Sequence, residues 1–184
     1  MATATAITTG TVRLSFVNVF TPRAAYEGQA EKYSACILIP KSDTKTVAAI
    51  KAACEAARLG SANIFNGKVP ASLKTPLHDG DGEMPNGGEY GPECKGMWVL
   101  NASSKIKPVV VDRQCVEIMD STEIYSGCWA KVNLNFFAYS AQGNKGIAAG
   151  LNGVQKIRDD EPLGGGRPSA KSMFSVEDDD DLGL

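Results

Sequence analysis

One segment of this chain carries a helical period, and every other patterned stretch alternates with period two. In SDTKTVAAIKAACEAARLG, Val47, Ile50, Cys54 and Ala57 recur at three- and four-residue steps. Ser42 or Asp43 stands where an N-cap belongs, and Gly60 where a helix stops. The alanine-rich interior favours helix over strand. The spacing predicts a helix over residues 42–59. One helix cannot cover both faces of a parallel sheet, so the strands around it are expected to pair antiparallel.

The alternating segments supply those strands. TVRLSFVNVF sets Val12, Leu14 and Phe16 on one side and Arg13, Ser15 and Val17 on the other. EKYSACILIP sets Tyr33, Ala35, Ile37 and Ile39 on one face, and Pro40 stops it. MWVLNAS and KPVVVD follow, then the long CWAKVNLNFFAYS, the turn AQGNKG and the return GIAAGLNGVQKI. Between residues 60 and 97 the period dissolves into Gly, Pro, Asp and Glu, as in a long loop of the kind that is often functional or mobile. The inventory fits a mainly β fold: an antiparallel five-stranded barrel of the oligonucleotide/oligosaccharide-binding (OB) type, with one clear helix and a long loop insertion. The expected organisation is a flexible N-terminus over 1–10, one domain over 11–158 with its insertion at about 60–97, and a disordered acidic tail over 159–184.

Several function classes are disfavoured. None of the five cysteines, Cys36, Cys54, Cys94, Cys115 and Cys128, forms a C-x-x-C pair, and His78 is the only histidine. Reduced thiols in a cytosolic protein are expected, mostly buried, with Cys115 and Cys128 in the core. No secretory signal or membrane span is apparent, and no cofactor is expected. Asp79, Asp81 and Glu83 in HDGDGE alternate like carboxylates of a metal-dependent nuclease. The calcium-loop pattern fails there, because Glu83 and Met84 stand where an Asp or Asn and a Gly belong.

The most informative stretch is residues 128–140. Cys128, Ala130, Val132, Leu134, Phe136 and Ala138 make one apolar face. The other carries Trp129, Lys131, Asn133, Asn135, Phe137 and Tyr139. Aromatics mixed with a cation and amides match single-stranded nucleic acid, whose unstacked bases lie on π-faces and whose phosphates attract cations. Lys105, Lys107 and Arg13 are further candidates. The alternative is that this face packs beneath the helix or the insertion.

The C-terminus divides the charge. Glu177, Asp178, Asp179, Asp180 and Asp181 form an acidic run; without them the chain has 19 basic and 16 acidic residues, a net of +3. An acidic run on a basic body can compete with a nucleic-acid backbone, recruit partner proteins or simply aid solubility.

Residues in TVRLSFVNVFTP, KYSACILIPKSD, KVPASLKTPLHDGDGE, NASSKIKPVVVDR, YSGCWAKVNLNFFAY and GNKGIAAGLNGVQKIRDDEPLGG, with the acidic tail, carry a resemblance to a bacteriophage-encoded family of OB-fold single-stranded DNA-binding proteins. The resemblance runs from about Thr11 to the C-terminus. It implies non-catalytic, sequence-tolerant binding of single-stranded DNA in phage replication and recombination, in the cytoplasm of the infected host, and a regulatory acidic tail. Phage or host replication proteins, through the tail, and a homo-oligomer are further partners to consider. Bacterial proteins with similar tails end in Phe; this chain ends Leu182-Gly183-Leu184, which separates it from their docking motif. The alternatives are a structural or interaction module of the phage without DNA affinity, a metal-dependent nuclease and a strand-annealing protein.

Overall fold

The computed structural model describes residues 4–24, 26–85, 87–141 and 143–163. Among these, the elements are β1 (Ala6–Thr8), β2 (Val12–Arg23), β3 (Lys32–Pro40), α1 (Thr44–Leu59), β4 (Leu77–Asp79), β5 (Met97–Ser104), β6 (Val109–Val111), β7 (Trp129–Ala141) and β8 (Asn144–Arg158), with short 3-10 turns at Pro92–Cys94 and Ser121–Glu123.

The long strands close on one another. Hydrogen bonding runs β2–β3–β5–β8–β7 and returns to β2, so five strands make a ring. Four of its pairings are antiparallel, and β5–β8 is parallel. A closed ring of odd strand number cannot alternate direction throughout, so one parallel pair is required. This corrects the expectation of a wholly antiparallel barrel. β6 also pairs parallel with β8. β1 extends the sheet beyond β7, so residues 6–8, expected to fray, are paired strand.

The inward-facing residues fill the ring: Val12, Leu14, Ile37, Ile39, Leu100, Val132, Leu134, Phe136, Leu151 and Val154 are buried. Val47, Ile50, Ala53, Cys54 and Ala57, from one face of α1, join that core. Fully burying a side chain the size of Ile50 or Leu134 stabilises by about 1.5–3 kcal/mol. Asp43 caps α1, accepting from the Thr46 backbone N–H at 3.1 Å and the Thr46 hydroxyl at 2.6 Å.

The insertion is partly built into the sheet. β4 pairs antiparallel with β5, and the Lys74 carbonyl accepts from the Ile147 N–H of β8 at 2.7 Å. Cys94, Tyr90 and Met97 pack with Cys36, Leu38 and Val99 in a second apolar cluster. It therefore covers the lower outer face of β3 and β5 and leaves the upper part open. Asp79 and Asp81 both clasp the Lys41 ammonium, at 2.6 and 2.7 Å. Those contacts engage two of the three alternating acids, Asp79 and Asp81. The sequence places Cys115 in the core, but it is exposed, in a turn with φ +62; Cys128 is fully buried.

Candidate nucleic-acid interface

The upper outer face of the ring is set by register. Asn18 of β2 pairs with Ser34 of β3, Ser34 with Ser103 of β5, Ser103 with Gly150 of β8, Gly150 with Asn135 of β7, and Asn135 with Ala6 of β1. A single row of small and polar residues thus crosses six strands. At the usual inter-strand spacing this is about 24 Å along the curved surface. Gly150 keeps the row low: a Cβ there would collide with the Asn135 side-chain amide, which lies across β8 at this point.

Two contiguous depressions lie along the β2–β3–β5 part of the row. One, of about 280 Å³, is lined by Phe16, Asn18, Ser34, Cys36, Asn101 and Ser103. The other, of about 320 Å³, shares Asn18, Ser34 and Ser103 and extends to Arg23, Gln29 and Lys32.

Phe16 dominates this face. Simple alternation groups it with Val12 and Leu14 in the core; it is instead 74% exposed. The β2–β3 register shifts between Ser15 and Asn18, a bulge that re-aims the strand. Phe16 sits at φ +46 within it, while Val17 turns in against the core. A left-handed conformation costs a non-glycine residue about 1–2 kcal/mol. Strain of this kind concentrates at functional positions, and here it delivers an aromatic ring to solvent beside the polar row.

The nominated residues of β7 separate along the strand. Phe137 and Tyr139, at its far end, are 45% and 36% exposed. Beyond Phe136, which bonds the Thr5 carbonyl, β1 no longer flanks β7. Opposite them, β8 carries only Ala148 and Gly146, so both rings stand above nearly bare backbone. Asn135 belongs to the polar row. Asn133 is engaged, donating to the Thr8 hydroxyl and accepting from Asn152, both at 2.9 Å. Lys131 is exposed and borders an apolar depression of about 340 Å³ with Val109, Val111 and Val154.

Trp129 and Arg13 lie at the opposite end of β7, about 34 Å from Tyr139 along the strand. The Trp129 indole N–H donates to Asp160 at 2.7 Å, and its ring has the Arg158 guanidinium at 4.5 Å and that of Arg13 at 5.9 Å. Arg13 donates to the carbonyls of Gly127 and Glu161, at 3.0 and 2.9 Å. The indole hydrogen bond, then the Glu161 N–H and the two arginines, hold the Asp160 carboxyl below its ordinary range. Lys105 and Lys107 are exposed in the turn after β5, with Lys107 over the Phe20 ring at 5.6 Å. The acidic run 177–181 lies outside the described residues.

Sequence reasoning did not nominate Phe16, Asn18, Ser34, Asn101, Ser103 or Lys32, which the structure brings to this face with Arg23. For the small polar residues a signal existed: Ser34 and Ser103 sit on the outer phase of strands whose inner phase is aliphatic. For Phe16 no local signal existed, because the bulge inverts its phase.

Known proteins resemble this chain in sequence and fold. Over residues 5–183 the chain matches the family described as Enterobacter phage Enc34, ssDNA-binding protein. It is 33% identical over 180 residues to protein p50 of Acyrthosiphon pisum secondary endosymbiont phage 1, covering 94% of this chain and 91% of that one. The single-stranded DNA-binding protein of bacteriophage Enc34, solved in complex with ssDNA, superposes with a TM-score of 0.72 at 32% identity, over 87% of this chain and 90% of that chain. Bacteriophage T7 gp2.5, a single-stranded DNA-binding protein, shares the fold at a TM-score of 0.60 and 16% identity, over 88% and 90% of the two chains. The ring of strands, its polar outer row and a match spanning nearly the whole sequence lead to one assignment: this chain belongs to the Enc34-type family of phage single-stranded DNA-binding proteins.

Proposed function

We propose that the chain binds single-stranded DNA without catalysis, in phage DNA replication and recombination in the host cytoplasm, on the outer face of β2, β3, β5, β8 and β7. The observation that carries this reading is Phe16, an exposed aromatic held at positive φ beside a six-strand polar row. A base stacked on Phe16, Phe137 or Tyr139 contributes about 1–3 kcal/mol whatever its sequence. Asn18, Ser34, Asn101, Ser103 and Asn135 offer hydrogen bonds to base edges or phosphates. Arg23, Lys32, Lys105, Lys107 and Lys131 supply positive charge at the margins. The Enc34 relative, solved with ssDNA, supports the same ligand for this chain. No helix among the described residues is long and apolar enough to cross a membrane.

The acidic run is the regulatory part of this reading. It competes with DNA for the basic margins and, once released, meets replication proteins. Leu163 packs against the cluster that contains Cys36, a residue at the edge of the interface. The first acid of the run, Glu177, is 14 residues further on, a span of at most about 50 Å, so the run is within reach of the face.

The test is fluorescence anisotropy of a labelled dT oligonucleotide against the full chain and a version ending at residue 176, across a salt series. Binding should fall linearly in log salt, with a slope of about −0.7 per neutralised phosphate, and the shortened protein should bind more tightly at low salt. No binding by either form at low salt would sink the reading in favour of a structural module.

A further inference from the structure

The segment that follows β8 behaves like a bound ligand. Residues 159–163 turn back across the outer face where Arg13, Trp129 and Arg158 form one cross-strand row. Three groups from three strands converge on one carboxylate there: the Trp129 indole N–H at 2.7 Å, the Arg13 guanidinium at 3.7 Å and the Arg158 guanidinium at 3.9 Å from the same Asp160 oxygen. Two guanidinium groups and an N–H around an oxyanion form a donor set that also suits a phosphodiester oxygen. Arg13 is oriented independently of the segment, because the Gly127 carbonyl also holds its Nε.

The path of the segment gives a second, independent argument. Beyond Asp160, a Cβ on Gly127 would collide with the Glu161 carbonyl, so the glycine lets the backbone lie flat on the sheet. The Leu163 N–H then donates to the Ser126 carbonyl at 2.8 Å, and its side chain packs against the apolar cluster of Cys36, Leu38, Cys94 and Val99. Cys36 lines the depression that holds Phe16, Asn18 and Ser34. The segment therefore runs from the Trp129 cluster to an apolar cluster that includes Cys36, a residue bordering the polar row.

The geometry points to a second subsite for the single-stranded phosphodiester backbone at Arg13, Trp129 and Arg158, occupied in the DNA-free protein by Asp160 as an internal stand-in for phosphate. The subsite rests on the single-strand-binding reading above and adds to it a site that the chain itself masks. DNA running off the polar row past Cys36 displaces residues 159–163, places a phosphate between the two arginines and frees the Trp129 ring. Asp159 sets the strength of the mask: it accepts from the Tyr125 hydroxyl at 2.9 Å and pairs with Lys156 at 2.7 Å.

The experiment uses full-length protein, the labelled dT oligonucleotide and the salt series, with Trp129 emission read in a Trp98→Phe background. Asp160→Asn should bind more tightly at low salt, with a slope steeper by about 0.7 for each further phosphate neutralised. Arg158→Gln should cost affinity in the Asp160→Asn background and little in the wild type, a coupling that general charge repulsion does not produce. DNA should quench Trp129 more in Asp160→Asn than in wild type. Unchanged or weaker binding by folded Asp160→Asn, or an Arg158→Gln effect equal in both backgrounds, overturns the subsite. Should Asp160→Asn fail to fold, Tyr125→Phe loosens the segment while leaving Arg13, Trp129 and Asp160 intact, and an unchanged salt slope there overturns the subsite equally. Wild type that binds DNA while these variants bind no more tightly refutes this inference alone. Wild type that does not bind refutes the functional reading beneath it.

Discussion

Replacing Phe16 by glycine separates function from stability at one position. The ring is 74% exposed, so about a quarter of its surface is covered. A Phe side chain buries about 150–250 Å² in full, so the covered part is about 50 Å², worth at most about 1.2 kcal/mol at 25 cal/mol per Å². Glycine also adds about 0.5–1 kcal/mol of unfolded-state entropy. Against these losses, glycine relieves the left-handed strain at φ +46, about 1–2 kcal/mol. The terms cancel to within about 1 kcal/mol, so thermal unfolding of Phe16→Gly should shift by no more than about 5 °C. Binding should respond differently. Loss of one base stack costs about 1–3 kcal/mol, which is about 5- to 150-fold in Kd. Anisotropy with labelled dT and a thermal melt of the same sample read both quantities. A folded Phe16→Gly with wild-type affinity would show that the bulge does not present a base platform. A collapse in stability would show that Phe16 supports the fold.

Other outcomes follow from the same geometry. Gly150→Ala should fold normally yet weaken DNA binding, because its Cβ evicts the Asn135 amide, the flexible end of a side chain, from above β8; unchanged affinity would remove Asn135 from the interface. The hold on residues 159–163 should depend on acid. Asp160 faces Trp129, Arg13 and Arg158, Asp159 faces Lys156 and Tyr125, and both carboxyls titrate below their ordinary range. The contact should be complete above about pH 4 and lost as pH falls through the depressed values, read as a change in Trp129 emission in Trp98→Phe; emission flat from pH 5 to the onset of unfolding would contradict this. Native protein should show one thiol reactive toward a disulfide reagent, Cys115. The other four are buried, and burial pushes Cys36 up to about 12 and Cys54 up to about 11. Two or more fast-reacting thiols would contradict the burial.

The legible part of this molecule is its periodicity. Alternation separated Val132, Leu134 and Phe136 from Lys131, Asn135 and Phe137, and the structure keeps the two faces apart. The three-and-four spacing of Val47, Ile50, Cys54 and Ala57 located α1 and its buried face. Lys156 shows what a local reading leaves out. Burial pulls its pKa down, but hydrogen bonds to Asp159 and Glu123 outweigh that and raise it to about 12. Asp159 is near in the chain, three residues on, but Glu123 lies 33 residues away and no local pattern points to it.

By itself the sequence determined the strand faces outside the β2 bulge, the single helix and the charge contrast between body and acidic run, because each follows from local pattern or composition. Tertiary structure decided which outward residues meet solvent. The insertion covers Leu38 and Val99, residues 159–163 lie on Trp129 and Arg13, and the β2 bulge turns Phe16 from the expected core to the surface. Period two says which side chains share a face of a strand. It carries no record of which distant segment packs on that face, nor of a one-residue shift that reverses the phase.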